Sequence, residues 1–220
     1  MSYGQNQPWG LMAVKTVNGA PWNGQTNTYL IQSGYANNIF KGDLVYQGAD
    51  GYIHNLSDLQ VANYPTAQAI GVFNGCSFQT ATATNPIDPA SPGRSYWPAG
   101  TVTFNNVDAT CDIIDDPNVI FNIQAAPNGI PFNAQGATAS VGYDYLNGSP
   151  TNPAGNTNTG ASSMFINTQT VGTAANLNLR ILRFVPVSGN VPLNGGPVIN
   201  YNNVEVLIQN HSFAQRAVGL

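Results

Sequence analysis

Six Asn–Gly pairs, at 18–19, 23–24, 74–75, 128–129, 147–148 and 194–195, punctuate a chain in which no run of about twelve residues shows the helical 3.6-residue apolar period. Asparagine and glycine tolerate the left-handed backbone that tight hairpin turns require, so these pairs are strong local signals for antiparallel strands. The chain is therefore expected to be mainly β, a small β-barrel or sandwich with little or no helix. The one helix-start signal is Ser57-Asp58-Leu59-Gln60, with Ser57 as N-cap and Gln60 three residues on, and it opens a single short turn.

The clearest unit runs from Asn38 to Cys76. Leu44, Val45 and Tyr46 precede Ala49-Asp50-Gly51, and Tyr52, Ile53 and Leu56 follow, which reads as strand, tight turn, strand. Gly71, inside a further strand, is expected to mark a bulge or a close backbone approach. Strands are predicted over 28–32, 43–47, 52–54, 68–74, 101–105, 163–168 and 177–187. Two more are the alternating runs NVIFNIQ and NVEVLIQN, where Val119, Phe121 and Ile123, then Val204, Val206 and Ile208, share one face. Residues 80–100 contain Pro86, Pro89, Pro92 and Pro98 and are expected to form a long surface loop, because proline donates no ladder hydrogen bond. The turn-rich stretch 125–160, with its low-complexity TNPAGNTNTG, predicts further exposed loops.

Residues 1–26 are rich in Gly, Pro, Asn and Gln but carry Tyr3, Trp9, Leu11 and Trp22. They are expected to form an extended arm before a β domain spanning 27–220, which could divide into sub-barrels at about 27–124 and 125–220. Two readings of the arm stay open: a partner-binding segment anchored by its aromatics, or an N-terminal strand with a tryptophan in the core. Tyr96 and Trp97 pose the same choice between a contact surface and rings that pin their loop to the body.

Only 7% of the residues are charged, against about 25% in ordinary globular chains. A neutral polar surface lacks the repulsion that keeps monomers apart and suits a protein packed against copies or partners. The six bases, Lys15, Lys41, Arg94, Arg180, Arg183 and Arg216, are scattered and form no stripe in sequence, so direct nucleic-acid binding is not expected. No apolar run reaches the length of a membrane span, and MSYGQNQPWG lacks the charged and apolar regions of an export signal, so a soluble product made in the cytoplasm and not exported by a cleaved signal is expected. Cys76 and Cys111 are read as half-buried thiols, although a single bridge is open.

Catalytic chemistry finds little to work with. His54 and His211 are the only histidines, no G-x-S-x-G turn occurs, and Glu205 is the only glutamate. The acidic cluster Asp108, Asp112, Asp115 and Asp116 does not have EF-hand spacing, and Asp115-Asp116-Pro117 reads better as a turn than as a cation site or hydrolytic centre. No P-loop, dinucleotide fingerprint or zinc spacing occurs. No enzyme activity, metal or other cofactor is expected.

Several segments carry a resemblance that spans most of the chain: Pro21-Trp22-Asn23-Gly24 with Tyr29, Phe40-Lys41-Gly42-Asp43-Leu44-Val45, and Ala69-Ile70-Gly71-Val72-Phe73. Further along come DDPNVIFNIQ at 115–124, LNLRIL at 177–182 and VLIQNH at 206–211. On these the chain resembles the capsid decoration (cement, head-stabilising) proteins of tailed-bacteriophage virions. The series G-D-x-V, D-G-x-I and A-I-G-V is similar to the small β-barrel of the shorter members, though this chain is longer and has longer loops. The resemblance implies a homotrimer on the exterior of the virion capsid, at local three-fold axes, clamping the major capsid protein. The partner contacts expected from the aromatic pattern are Tyr3, Trp9, Leu11, Trp22, Tyr96 and Trp97. A second reading is a carbohydrate-binding or receptor-binding phage tail component with Tyr96 and Trp97 as its stacking platform.

Overall fold

A computed structural model describes residues 8–59, 68–80, 91–126, 128–139, 141–142, 155–168, 171–172 and 177–214. In the first half the strands are β1 (Met12–Thr16), β2 (Asn27–Ile31), β3 (Ile39–Phe40), β4 (Leu44–Gln47) and β5 (Ile53–Asn55). They are followed by β6 (Gly71–Phe78), β7 (Ser91–Arg94), β8 (Tyr96–Trp97), β9 (Ala109–Ile114) and β10 (Val119–Gln124). Five two-residue strands come next: β11 (Thr138–Ala139), β12 (Val141–Gly142), β13 (Gly155–Asn156), β14 (Ala161–Ser162) and β15 (Phe165–Ile166). Long strands close the chain as β16 (Leu179–Phe184) and β17 (Asn203–Ile208). Helix among the described residues is limited to short 3-10 turns, none long and apolar enough to cross a membrane.

Two antiparallel sheets form the body. The first has the order β1-β10-β17-β16-β11, the second β2-β9-β6-β4-β5 with β7 also on β6. The period-two pattern decides how they meet. Val119, Phe121 and Ile123 on β10, Val204, Val206 and Ile208 on β17, and Leu179 and Ile181 on β16 point into one core. There they meet Leu44, Val72 and Ile114 from the second sheet. Burying each such side chain contributes about 1.5–3 kcal/mol, so this inner layer holds the sheets together as a sandwich-like fold.

The second sheet is buried on its other face as well. Val45, Phe73, Cys76, Cys111 and Ile113 enter a second core with Ile31, Ile53 and Trp97. Leu44-Val45, Val72-Phe73 and Ile113-Ile114 are consequently adjacent pairs with both members buried. This sheet curls so that β2 and β5 approach each other without pairing, an open arrangement and not a closed barrel.

Several expectations change. Residues 12–16 are an edge strand of the first sheet, paired with β10, and β10 pairs with β17, so the sheets divide neither at 26/27 nor at 124/125. The 80–100 loop contains β7 on β6 and β8 on β3; residues 81–90 lie outside the described residues. Phe104–Asn106 is a 3-10 turn where a strand was expected, with Asn105 and Asn106 in the left-handed region. The cap of the Leu56–Asp58 turn is Asn55, whose Oδ1 accepts from the Ser57 N–H at 3.0 Å, and not Ser57. Asn74-Gly75 sits at a bulge within β6, where the register to β9 shifts. The predicted close approach at Gly71 is present: a Cβ there would lie 2.3 Å from the Ile114 carbonyl oxygen.

The β6–β9 register sets Cys76 directly opposite Cys111, both as buried free thiols. Burial pushes the Cys76 thiol up to about 12 and raises that of Cys111 as well. Thiolate is the reactive form, so neither cysteine is expected to react with a disulfide reagent at neutral pH until the protein is denatured. Stoichiometric labelling of the native protein would contradict this burial.

Candidate functional site

Of the six residues expected at a contact surface, the structure brings three together. Trp9, Leu11 and Trp22 line one cleft of about 340 Å3. Leu11 itself is 3% exposed and belongs to the inner core, so it forms the wall and not an anchor. Tyr96 and Trp97 lie elsewhere, on β8. Trp97 is fully buried, edge-on to Phe78 with ring centroids 4.9 Å apart, and its Nε1 donates to the Tyr35 carbonyl at 3.3 Å. Tyr96 stacks on Phe40 at 5.3 Å. The two rings therefore pin their segment to the body and offer no flat platform to a sugar. Tyr3 lies outside the described residues.

The cleft is built by a close backbone crossing. Gly10 has φ +74° and Gly42 φ +98°; a Cβ on Gly10 would sit 2.5 Å from the Gly42 carbonyl oxygen, and one on Gly42 would sit 2.7 Å from the Trp9 carbonyl oxygen. Without side chains the two segments touch, and the Leu11 N–H donates to the Gly42 carbonyl at 2.9 Å. After β1 the Asn18-Gly19 turn reverses the chain, and the Trp22 N–H donates to the Val14 carbonyl at 3.1 Å. Both indoles thereby border one cleft together with Val72 and Ile114.

Polar groups at the cleft are few and specific. The Nε1–H groups of Trp9 and Trp22 are buried and have no hydrogen-bond acceptor among the described residues. An unsatisfied buried donor costs about 1–3 kcal/mol. Lys41, Asn74 and Thr159 are the other polar residues of the lining, which contains no carboxylate. Among the described residues Lys41 has no ion pair. Lys41, Asn74 and the Gly10–Gly42 crossing were not marked as site residues by sequence reasoning, since Lys41-Gly42-Asp43 reads there as the opening of a strand.

The ionisable groups elsewhere are engaged in holding the fold. Ten carboxylates occur, and Asp88 and Asp144 lie outside the described residues; each of the other eight accepts a hydrogen bond or pairs with a base. The acidic cluster is dispersed. Asp108 binds the Tyr52 hydroxyl, Asp112 the Thr28 hydroxyl, and Asp115 the Asn27 amide and Tyr29 hydroxyl, while Asp116 closes the turn onto the Asn118 N–H. No three His, Cys, Asp or Glu side chains gather among the described residues. Glu205 bridges Lys15 and Arg183 at 2.8 Å each; burial opposes its charge, but bonds from Arg183 and Lys15 prevail and lower its pKa. His54 pairs with Asp50, and buried His211 accepts at Nδ1 from the Phe213 N–H.

The most demanding of these groups is Asp43, 1% exposed. Its carboxylate accepts from the Phe40 N–H at 2.8 Å, from Asn55 Nδ2 at 2.8 Å and from the Ser162 hydroxyl, tying β3, β5 and β14 together beneath the cleft. Burial pushes its pKa up to about 6, and those three bonds limit the rise.

Comparison with protein-family models, with curated proteins and with solved structures finds no match.

Proposed function

We propose that this chain is a structural virion protein, a bacteriophage capsid decoration protein that binds the outside of the head as a homotrimer and stabilises it against internal DNA pressure. The virion assignment is supported by the sequence resemblance carried by residues 21–29, 40–45, 69–73, 115–124, 177–182 and 206–211. The contact role is carried by one observation: a preformed cleft holding two tryptophans whose indole N–H groups lack acceptors. Such aromatic pockets supply most of the free energy of many interfaces. The mechanism is additive. One trimer touching several major capsid protein subunits raises the effective concentration of each later contact, so weak sites sum to a firm clamp.

Heads lacking the protein provide the test. Purified chain added to them should co-sediment at a fixed ratio and appear on the outer shell in negative stain. The double variant Trp9→Ala/Trp22→Ala should bind more than about tenfold more weakly while its β circular dichroism is kept. Binding to tails alone, or no binding to any particle, would sink the reading. Undiminished binding by the double variant would remove the cleft from it.

A further inference from the structure

We propose that Cys76 and Cys111 are a cross-strand disulfide site, bridged when the chain folds under oxidising conditions and left open when it folds under reducing ones. The proposal rests neither on the virion assignment nor on the cleft.

Strand register carries it. Cys76 on β6 lies directly opposite Cys111 on the antiparallel β9, and both side chains enter the second core, so they stand on the same face of the sheet. Antiparallel partners come in two kinds, and the hydrogen bonds of Phe73 show which kind this is. The Phe73 N–H donates to the Asp43 carbonyl and the Phe73 carbonyl accepts from the Gly42 N–H, both at 2.9 Å, so the Phe73 backbone points towards the β4 side and away from β9. Its partner Ile113 therefore sits in a non-hydrogen-bonded pair. Backbone direction alternates along a strand, so Cys111, two residues earlier on β9, does too, and the extra residue at the β6 bulge keeps Cys76 in step with it. Pairs of this kind bring their Cα atoms to about 4.5 Å and their side chains closest together. Disulfides span Cα separations of about 4.4–6.8 Å. Closing the bond costs the Cys76 thiol its hydrogen bond to the Tyr96 carbonyl, 3.4 Å long.

Burial decides when the bond can form. The attacking species is a thiolate, and inside the fold both thiols are buried and kept protonated. The bond is accordingly made on the unfolded or folding chain. One cysteine thiolate attacks a sulfur of a low-molecular-weight disulfide, such as glutathione disulfide, and displaces one glutathione thiolate. The other cysteine thiolate then attacks the protein sulfur of this mixed disulfide and displaces the second. The protein gives up two electrons and two thiol protons, and the reagent becomes two molecules of glutathione. Once the chain has folded, the same burial shields the bond from reductants, so the redox condition at folding is retained. The bridge fastens two neighbouring inner strands of the second sheet and constrains the unfolded chain between Cys76 and Cys111.

The test refolds the full chain from denaturant in two buffers, one with glutathione and glutathione disulfide, the other with excess reductant. The first product should be lighter than the second by two hydrogens, run as a single chain on a non-reducing gel, and show no titratable thiol in denaturant, where the second shows both. Its unfolding equilibrium constant should be smaller by on the order of a hundredfold, and a dithiol reductant should open it only when denaturant is added. Cys76→Ser and Cys111→Ser should each unfold at the same denaturant concentration after either buffer. Chain made in a reducing cytosol, compared with chain exported to an oxidising compartment, gives the same comparison without refolding. The inference is overturned if the chain folded with glutathione disulfide keeps both thiols, carries glutathione adducts or is cross-linked between copies, or if the bridged form is the less stable one.

Discussion

Asp43→Ala is expected to lower the free energy of unfolding by about 3–5 kcal/mol, read from chemical denaturation at pH 7. The substitution strands three buried donors at once, the Phe40 N–H, the Asn55 amide and the Ser162 hydroxyl, and each unsatisfied group costs about 1–3 kcal/mol. Asp43→Asn should cost less than about 1 kcal/mol, because an amide oxygen can accept from Phe40 and Asn55 while its nitrogen donates to the Ser162 oxygen. The pair also separates geometry from charge. Burial raises the Asp43 pKa from an ordinary 3.8 to about 6, so the folded protein binds a proton between these values that the unfolded chain does not. Stability must then rise as pH falls through about 6, by about 3 kcal/mol in all, and level off near 3.8. Glu205, whose pKa is lowered, contributes the opposite slope only below about 4.5. Between pH 6 and 4.5 the Asp43 contribution is therefore free of the Glu205 slope. Asp43→Asn should flatten it; a variant that keeps the slope would place the titration elsewhere.

Strands with a period-two apolar pattern were legible. Val119–Gln124 and Asn203–Ile208 appear where that pattern predicts and send Val119, Phe121, Ile123, Val204, Val206 and Ile208 into one core, but Ile120, Gln124, Glu205 and Leu207 on the other face are buried as well. Ala109–Ile114 was missed. Its inward residues include Ala109 and Cys111, weak markers of a strand, and Asp108, Asp112 and Asp115 around them read as turn or ligand chemistry. Met12–Thr16 was hidden for another reason. Its burial is only partial, so MAVKT lacks alternation, and its pairing to β10 is set by residues over a hundred positions away. The aromatic pattern located Trp9 and Trp22 as a pair. It could not separate them from Trp97, since an indole is equally suited to a core and to an interface, and only packing against Phe78 decides.

The local chemistry that makes the cleft leads to the other large effect. Gly42→Ala is expected to cost about 2–4 kcal/mol and to loosen the segment that carries Trp9 into β1. Two penalties combine: a φ of +98°, which an L side chain adopts at a cost of about 1–2 kcal/mol, and a Cβ 2.7 Å from the Trp9 carbonyl oxygen and 3.2 Å from the Leu11 nitrogen. Both neighbours are backbone, so relief requires the crossing at Gly10 to open, and that crossing ties the start of β1 to the body beside its pairing with β10. Hydrogen exchange should accelerate at Leu11–Thr16 while β9 and β17 keep their protection, indole emission should shift to the red, and partner binding should weaken together with the strand. Gly51→Ala supplies the control. Its φ of +86° is similar, but a Cβ there meets nothing within 4 Å, so its cost should stay near 1 kcal/mol with binding unchanged. Equal losses in the two variants would mean that backbone strain alone acts at Gly42 and that the crossing does not build the cleft.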